Sequence, residues 1–243
     1  MIRKKIYGVG LALCMFFTMS GGAALASPSQ TNIQDRYILS EFNGNEAVFD
    51  TVEESYYISP VDASGVKVDI EDYKDSLNIS DKLSKGAAPE SLSNIVNESL
   101  DQQDFTAKAS TKRYVQDLGW STTLNPLEIS AWLDCPKGQT PCSIAAASTI
   151  TRSEEFSTEV TAGFKEIITS SVSFTWAKSA SSSITMTLPV APGVRAKMTF
   201  APKRNYTRGK IWDGLHSSEM LYANCPAILS NGIHDGIYAL KYN

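Results

Sequence analysis

The C-terminal half of the chain alternates between apolar and polar residues with the period of two that is typical of β-strands. Polar residues within the alternation are mostly Ser and Thr, and Pro189 and Gly193 mark a turn before the third alternating segment. The segments predicted as strands are about 167–177, 182–188 and 194–200, with further strands at 129–133 and 237–242. We therefore predict a mainly β fold, in which the C-terminal domain is an elongated antiparallel β-sheet or sandwich.

The N-terminal half shows mixed periodicity. Leu92, Ile95, Val96 and Leu100 recur at helical spacing and predict a helix over roughly 90–102. A second, weaker helix is predicted through Ile70, Tyr73 and Leu77, and short strands are predicted at 36–39, 47–49 and 55–60, the last ending at a proline. This pattern predicts a small mixed α/β N-terminal region.

Residues 1–26 have the three parts of a secretory signal. Arg3, Lys4 and Lys5 precede an apolar run over 6–19, and Ala24-Leu25-Ala26 fits the cleavage site. The apolar run is shorter than the ~20 residues that a membrane-spanning helix needs. A lipid anchor at Cys14 is the alternative, but such a cysteine follows a small residue and here it follows Leu13. We expect a secreted, extracellular protein.

Charge divides the remaining chain into two regions. Residues 27–110 contain 16 acidic and 6 basic residues, whereas residues 111–243 contain 10 acidic and 13 basic ones. We therefore divide the chain into an acidic N-terminal region, 27–110, and a β-rich domain, 111–243. The acidic region is either a structural subdomain or a pro-region that shields a basic active part. The overall negative charge argues against nucleic acid as a partner.

Two cysteines lie close together in the sequence. Between Cys135 and Cys142 stand two prolines and a glycine, which suits a tight turn closed by a disulfide, and export permits its oxidation. A metal site would need further ligands at fixed spacing, and none follows. Cys225 is left over, either as a buried thiol or as a thiol that links to a partner.

A stretch rich in Ser and Thr contains the clearest functional pattern. Ser or Thr fills 18 of the 40 positions from 148 to 187. In the two predicted strands, one face carries hydroxyls and the other carries apolar side chains, namely Val172, Phe174, Trp176, Ile184, Met186 and Leu188. A strand that crosses a membrane needs one lipid-facing and one water-facing side, and its backbone is satisfied only when strands of several chains close into a ring. The alternative is an ordinary half-buried antiparallel sheet with a Ser/Thr surface.

Several motifs of this stretch carry a resemblance. Thr161-Ala-Gly-Phe164, Ser171-Val-Ser-Phe-Thr-Trp176, Ser181-Ser-Ser-Ile-Thr-Met186 and the segment 192–200 resemble large, secreted, heat-labile bacteriocins of the geobacillin type. The layout is also similar to aerolysin-type pore formers, and the likeness covers about residues 120–210. The resemblance implies a secreted antibacterial protein that acts on the membrane or envelope of related Gram-positive bacteria. If the strands insert, the need to satisfy their backbone groups predicts a homo-oligomer on the membrane.

A basic cluster follows the third strand. Lys203, Arg204, Arg208 and Lys210 lie within eight residues of an otherwise acidic protein. They are candidates for docking anionic polymers or phospholipid headgroups. The alternative is a solvated hairpin loop.

No enzyme motif is recognisable. The two histidines, His216 and His234, stand in no known metal or nucleophile motif, and the adjacent Glu154 and Glu155 point to opposite faces of a strand. We expect neither an enzyme nor a cofactor. Two main classes remain open: a membrane-active bacteriocin, and a secreted or cell-surface β-sandwich binding module without lytic activity.

Overall fold

The computed structural model describes residues 35–85, 112–138, 140–181 and 184–243. These residues form antiparallel sheets and two helices, which confirms the mainly β prediction. The predicted signal (1–26) and the predicted helix over 90–102 lie outside the described residues. The elements are β1 (Tyr37–Phe42), β2 (Asn45–Asp50), β3 (Ser55–Asp62), α1 (Ile70–Ser84), β4 (Arg113–Thr123), β5 (Leu127–Glu128), β6 (Leu133–Asp134), β7 (Cys142–Ala147), β8 (Thr151–Ser153), β9 (Glu155–Phe156), α2 (Ala162–Ser171), β10 (Ser179–Ser181), β11 (Thr185–Val190), β12 (Arg195–Trp212), β13 (Leu221–Pro226) and β14 (Gly236–Tyr242).

The central element is β12, a strand of 18 residues. Its first half pairs with β14 and with the short β5 and β6, and its second half pairs with β4 and β13. The main path through the ten-stranded sheet is β1-β2-β3-β14-β12-β13-β9. The strands predicted at 194–200 and 237–242 are therefore confirmed, and the first of them extends much further than the alternation indicated.

The mixed N-terminal region is confirmed. β1 and β2 form a hairpin whose turn residues, Asn43 and Gly44, both have positive φ, as a tight two-residue turn requires. The side chain of Asp69 caps α1 by accepting a hydrogen bond from the amide of Glu71 at 2.8 Å. Tyr73 and Leu77, both from the predicted helical stripe, are fully buried against this sheet. β3 continues past Pro60 to Asp62, so the prediction that it ends at the proline is wrong.

The N-terminal strands share a sheet with the C-terminal strand. β3 pairs with β14 in antiparallel register from Tyr56↔Tyr242 to Asp62↔Ile237. A continuous apolar layer, including Ile58, Tyr238 and Leu240, covers the face of this sheet opposite α1. The described part of the acidic region thus belongs to the same compact unit as the rest of the described chain, within Asp35–Asn243.

Two predicted strands are wrong. Residues 167–171 belong to α2, where Phe164, Ile167 and Ile168 follow helical spacing and Ile168 is fully buried. Residues 172–177 alternate in exposure but pair with no strand among the described residues. The predicted strand at 129–133 is interrupted at Ser130, whose hydroxyl accepts a hydrogen bond from the amide of Met198 at 2.8 Å. Only the short strands before and after this interruption, β5 and β6, pair with β12.

Candidate functional site

A long two-stranded ribbon leaves the main sheet between β6 and β12. β7 pairs with β11 over Cys142↔Val190 to Ala147↔Thr185, and β8 pairs with β10 from Thr151↔Ser181 onward. Thr151 lies four residues after Ala147, and its partner Ser181 lies four residues before Thr185. The two short ladders therefore share one register. We call the two arms, 142–153 and 179–190, the ribbon.

The ribbon has two chemically distinct faces. Exposed and less exposed side chains alternate along both described arms. On the inner face, Ile144, Leu188 and Val190 are buried against the apolar layer of the main sheet. The outer face is fully exposed and consists of small side chains: Ser143, Ala145, Ala147, Thr149, Thr151, Ser153, Ser179, Ser181, Thr185, Thr187 and Pro189.

The arms carry almost no charge. In 24 residues their sequence contains a single ionisable side chain apart from cysteine, that of Arg152. Arg152 occupies the second position from the distal end of its arm, paired across the ribbon with Ala180. The part of the ribbon between its base and this arginine is therefore uncharged.

The ribbon packs on the protein through side chains rather than through a shared ladder. Among the described residues, β7 and β11 pair only with each other, and so do β8 and β10. The outer edges of the two arms therefore have no strand partner within the described part of the chain. Lifting the ribbon would break no strand ladder, but it would break side-chain packing and two hydrogen bonds. Arg204 donates to the carbonyl of Ser153 at 2.7 Å, and the amide of His234 donates to the carbonyl of Ser181 at 3.5 Å.

The predicted disulfide joins Cys135 and Cys142 and fixes the base of the ribbon. The amide of Cys135 donates to the carbonyl of Val194 at 3.0 Å, and the amide of Gly193 donates to the carbonyl of Cys135 at 2.8 Å. Gly193 has a φ of 79°, which favours glycine at this turn. The disulfide thereby ties the first arm to the turn that ends the second arm.

The distal segment, 154–178, contains α2 and three of the predicted insertion residues. Val172, Phe174 and Trp176 lie here, after the helix, and not in a paired strand. Trp176 stacks on Phe156 with ring centroids 5.4 Å apart, and its indole Nε1 donates to Glu154 at 2.6 Å. The structure therefore separates them from Ile184, Met186 and Leu188, which all lie on the inner face of the second arm.

Sequence reasoning missed the first arm, 142–153. Its central residues, Ala145, Ala146 and Ala147, are identical on both faces, and the buried Ser148 lies on the inner face, so the sequence shows little alternation in hydrophobicity. The signal available was the absence of charge from Cys142 to Thr151, combined with small residues at every second position.

The basic cluster lies within β12, so the hairpin-loop alternative is wrong. Arg204 is almost fully buried, and its Nη1 donates to Glu155 at 2.8 Å. Arg208 pairs with Asp117, and Lys203 lies 3.5 Å from Asp235. Lys210 is exposed. Three of the four predicted docking cations are therefore engaged with carboxylates of the chain itself.

Two further reactive side chains, those of Cys225 and His234, are buried. The free thiol of Cys225 is buried, and burial raises its pKa. His234 is also buried, which lowers its pKa, and its ring lies 3.2 Å from the carbonyl of Lys203. In the described ranges, no group of three or more His, Cys, Asp or Glu side chains is placed to hold a metal ion. None of the described helices is long and apolar enough to cross a membrane.

Comparison with known proteins adds one match. Residues 110–214 match a protein family described as a family of unknown function (DUF6060). The matched segment contains the whole ribbon, its distal segment and all of β12. The chain matches no curated protein and no solved structure.

Proposed function

We propose that this protein is a secreted antibacterial protein of the bacteriocin type that acts on the envelope of related Gram-positive bacteria by inserting the ribbon into the membrane. The resemblance to geobacillin-type bacteriocins supports the antibacterial role. The observation that carries the membrane step is the ribbon, a single-register hairpin with one apolar and one hydroxyl-bearing face.

The length of the ribbon suits this role. A transmembrane strand needs ~9–11 residues, and each arm has 12. Arg152 stands near the distal end, where a long cationic side chain can extend to the water interface instead of remaining among lipid tails.

The faces of the ribbon match the two environments of an inserted strand. Inner-face residues such as Ile184, Met186 and Leu188 would contact lipid, and outer-face residues such as Thr185 and Thr187 would face water. Hydroxyl groups keep the outer face hydrated before insertion and cost much less to transfer than charges do.

Release of the ribbon has a definite cost in buried apolar area. It would expose Ile144, Leu188 and Val190, at about 1.5–3 kcal/mol each, and would also uncover the apolar layer of the main sheet on which they pack, so contact with lipid would have to compensate for both. The unpaired outer edges of the arms could then pair with ribbons of other copies, which is how the backbone groups would be satisfied in lipid. The proposal therefore includes a homo-oligomer on the membrane.

The test uses the exposed Thr187 on the outer face of β11. Substitution of this side chain leaves the core of the soluble protein unchanged. If the outer face lines a pore, Thr187→Glu should shift the reversal potential in planar bilayers towards cation selectivity, and Thr187→Lys should shift it towards anion selectivity. The matched control is Val66→Glu, at a 61% exposed position outside the ribbon, which should leave selectivity unchanged.

Absence of conductance and of dye release from anionic liposomes would contradict membrane insertion, provided that the protein is folded by circular dichroism. Equal selectivity of Thr187→Glu, Thr187→Lys and the parent protein would exclude the outer face as the pore lining. Purified protein spotted on lawns of related Gram-positive bacteria tests killing separately, and a clear zone is expected.

The second candidate function is a secreted or cell-surface binding module without lytic activity. An aromatic cleft beside Trp120 and Tyr206 favours it, because such a cleft suits a small ligand. This candidate predicts ligand binding with no conductance from any Thr187 variant.

A further inference from the structure

A cleft with a volume of about 320 Å³ lies on the sheet formed by β4, β12, β13 and β9, on the half of β12 distant from the disulfide. Its volume falls within the range of pockets that bind small molecules, about 300–1,000 Å³. The residues that line the cleft include Leu83, Trp120, Glu155, Tyr206, Tyr222 and Asn224.

Four of these side chains form a row across the sheet. Trp120 is the register partner of Tyr206, Tyr206 of Asn224, and Asn224 of Glu155. Residues directly opposite one another on paired strands point to the same face, so the row presents two aromatic rings followed by an amide and a carboxylate. Trp120 and Tyr206 stack with centroids 5.1 Å apart and an interplanar angle of 10°.

Two polar atoms of this row lack partners. The indole Nε1 of Trp120, a donor, and Oδ1 of Asn224, an acceptor, are buried and have no hydrogen-bond partner among the described residues. Trp120 is only 4% exposed. A buried polar group without a partner is costly, and here a donor and an acceptor lie on the two strands that flank β12, in residues that line the cleft. A ligand that both accepts and donates hydrogen bonds would satisfy both atoms.

The charges around the cleft are already compensated. Glu155 accepts hydrogen bonds from Arg204 at 2.8 Å and from Nδ2 of Asn224 at 3.4 Å, and Arg208 pairs with Asp117. A cationic ligand would find the carboxylate occupied by an arginine, and an anionic ligand would find both arginines occupied by carboxylates. The cleft therefore favours a neutral ligand.

We propose that this cleft binds a sugar ring of a glycan. A pyranose has a face rich in C–H groups that packs on an aromatic ring, and its hydroxyl groups both donate and accept hydrogen bonds. In this arrangement Tyr206 contacts the ring face, while hydroxyls accept from Nε1 of Trp120 and donate to Oδ1 of Asn224. Sugar binding at this cleft does not require membrane insertion, so either proposal can fail without the other.

The test measures binding of three neutral oligosaccharides, chitotriose, cellotriose and maltotriose, to the purified protein by calorimetry, with tryptophan fluorescence as a second readout. At least one should bind with a dissociation constant in the millimolar range or below. Tyr206→Ala should weaken that binding about tenfold or more, and Asn224→Ala should also weaken it. Tyr206→Phe retains the ring and should bind nearly as well as the parent protein.

Thermal unfolding of each variant shows whether it is folded, and Tyr206→Phe is the matched control at the same position. Binding that is equal in the parent protein and in folded Tyr206→Ala would overturn the assignment of the cleft. Absence of binding to all three sugars at 10 mM would overturn the proposal, as would binding of choline chloride in their place, which would indicate a cation site.

Discussion

At Asp50 a carboxylate is fully buried at the end of β2, and its hydrogen bonds explain how it remains charged. Burial by itself raises the pKa of this group. The carboxylate accepts two hydrogen bonds from Arg36, at 2.9 and 2.7 Å, and two more from the amides of Val52 and Glu53. These four hydrogen bonds outweigh the effect of burial, so the pKa of Asp50 lies below its usual range. This residue links the first hairpin to the turn that follows it.

We expect Asp50→Asn to lower the free energy of unfolding at pH 7 by about 2 kcal/mol, because Arg36 loses its two shortest charged hydrogen bonds and keeps only the more distant Glu53 and Asp81 as ion-pair partners. A lowered folded-state pKa stabilises the protein above the unfolded-state value of about 3.9, and this contribution is lost as the pH falls through the folded-state pKa. The difference between variant and parent should therefore shrink at pH 3. Urea unfolding at both pH values measures it.

The exposed Glu46→Gln provides the control on the same strand and should change the unfolding free energy by less than about 0.5 kcal/mol at either pH. A difference between Asp50→Asn and the parent that stays the same at pH 7 and pH 3 would show that the charge of Asp50 is not what stabilises the hairpin.

At the scale of secondary-structure elements, the main question is which strand pairs with the second arm of the ribbon. The sequence predicted the second arm correctly, because β11 alternates Thr with apolar residues. The neighbouring segment predicted as a strand, 167–177, instead begins within α2, and the observed partner of β11 is β7. Alternation identifies a strand but not its neighbour, and strand pairing depends on contacts between residues far apart in the sequence.

The disulfide is expected to act locally on this element. Replacing both Cys135 and Cys142 with Ser should lower the free energy of unfolding by about 2–3 kcal/mol, as a short closed loop predicts. Because the bond holds the base of the ribbon to the turn after β11, amide exchange should accelerate in β7 and β11. Exchange in β14, which pairs with β3 and β12, should change only with global stability.

Hydrogen exchange followed by mass spectrometry tests this, with the parent protein in reductant as a second sample. Equal acceleration in β7, β11 and β14 would mean that the disulfide stabilises the whole fold and does not anchor the ribbon specifically.

At the scale of the whole molecule, the packing between the acidic region and the β-rich domain determines whether the acidic region can leave as a pro-region. β3 pairs with β14, and Tyr37, Tyr57 and Tyr73 pack in one cluster with Ala201 and Ala239. A pro-region that leaves after cleavage would have to expose this cluster and remove β1, β2 and β3 from the sheet. The charge asymmetry, which suggested a pro-region, carries no information about this shared packing.

We therefore expect protease cleavage between residues 86 and 111 to leave the two fragments associated. They should elute together in native size-exclusion chromatography and separate in denaturant, with unchanged near-ultraviolet circular dichroism before denaturation. A C-terminal fragment that elutes alone, stays folded and kills target cells more effectively than the uncleaved protein would instead establish a pro-region.

The sequence by itself determined the β class, the first half of β12, the positions of β14 and α1, and the disulfide between Cys135 and Cys142. These features follow from local periodicity, capping and short loop closure, which are encoded within a few residues of one another. The prediction failed at 167–177, where alternation in Val172, Phe174 and Trp176 obscured the helical spacing of α2 just before it.

Only the tertiary structure decided which arm completes the ribbon, which cations are neutralised and which aromatic rings meet. The sequence suggested that Arg204 belongs to a basic surface, whereas in the structure its guanidinium donates a hydrogen bond to Glu155, which lies 49 residues away in the sequence. Trp120 and Tyr206 are 86 positions apart in the chain, and they stack because β4 and β12 pair in one register. Each of these contacts arises from strand pairing over long sequence distances, and the residues on one strand do not specify which strand will lie beside them.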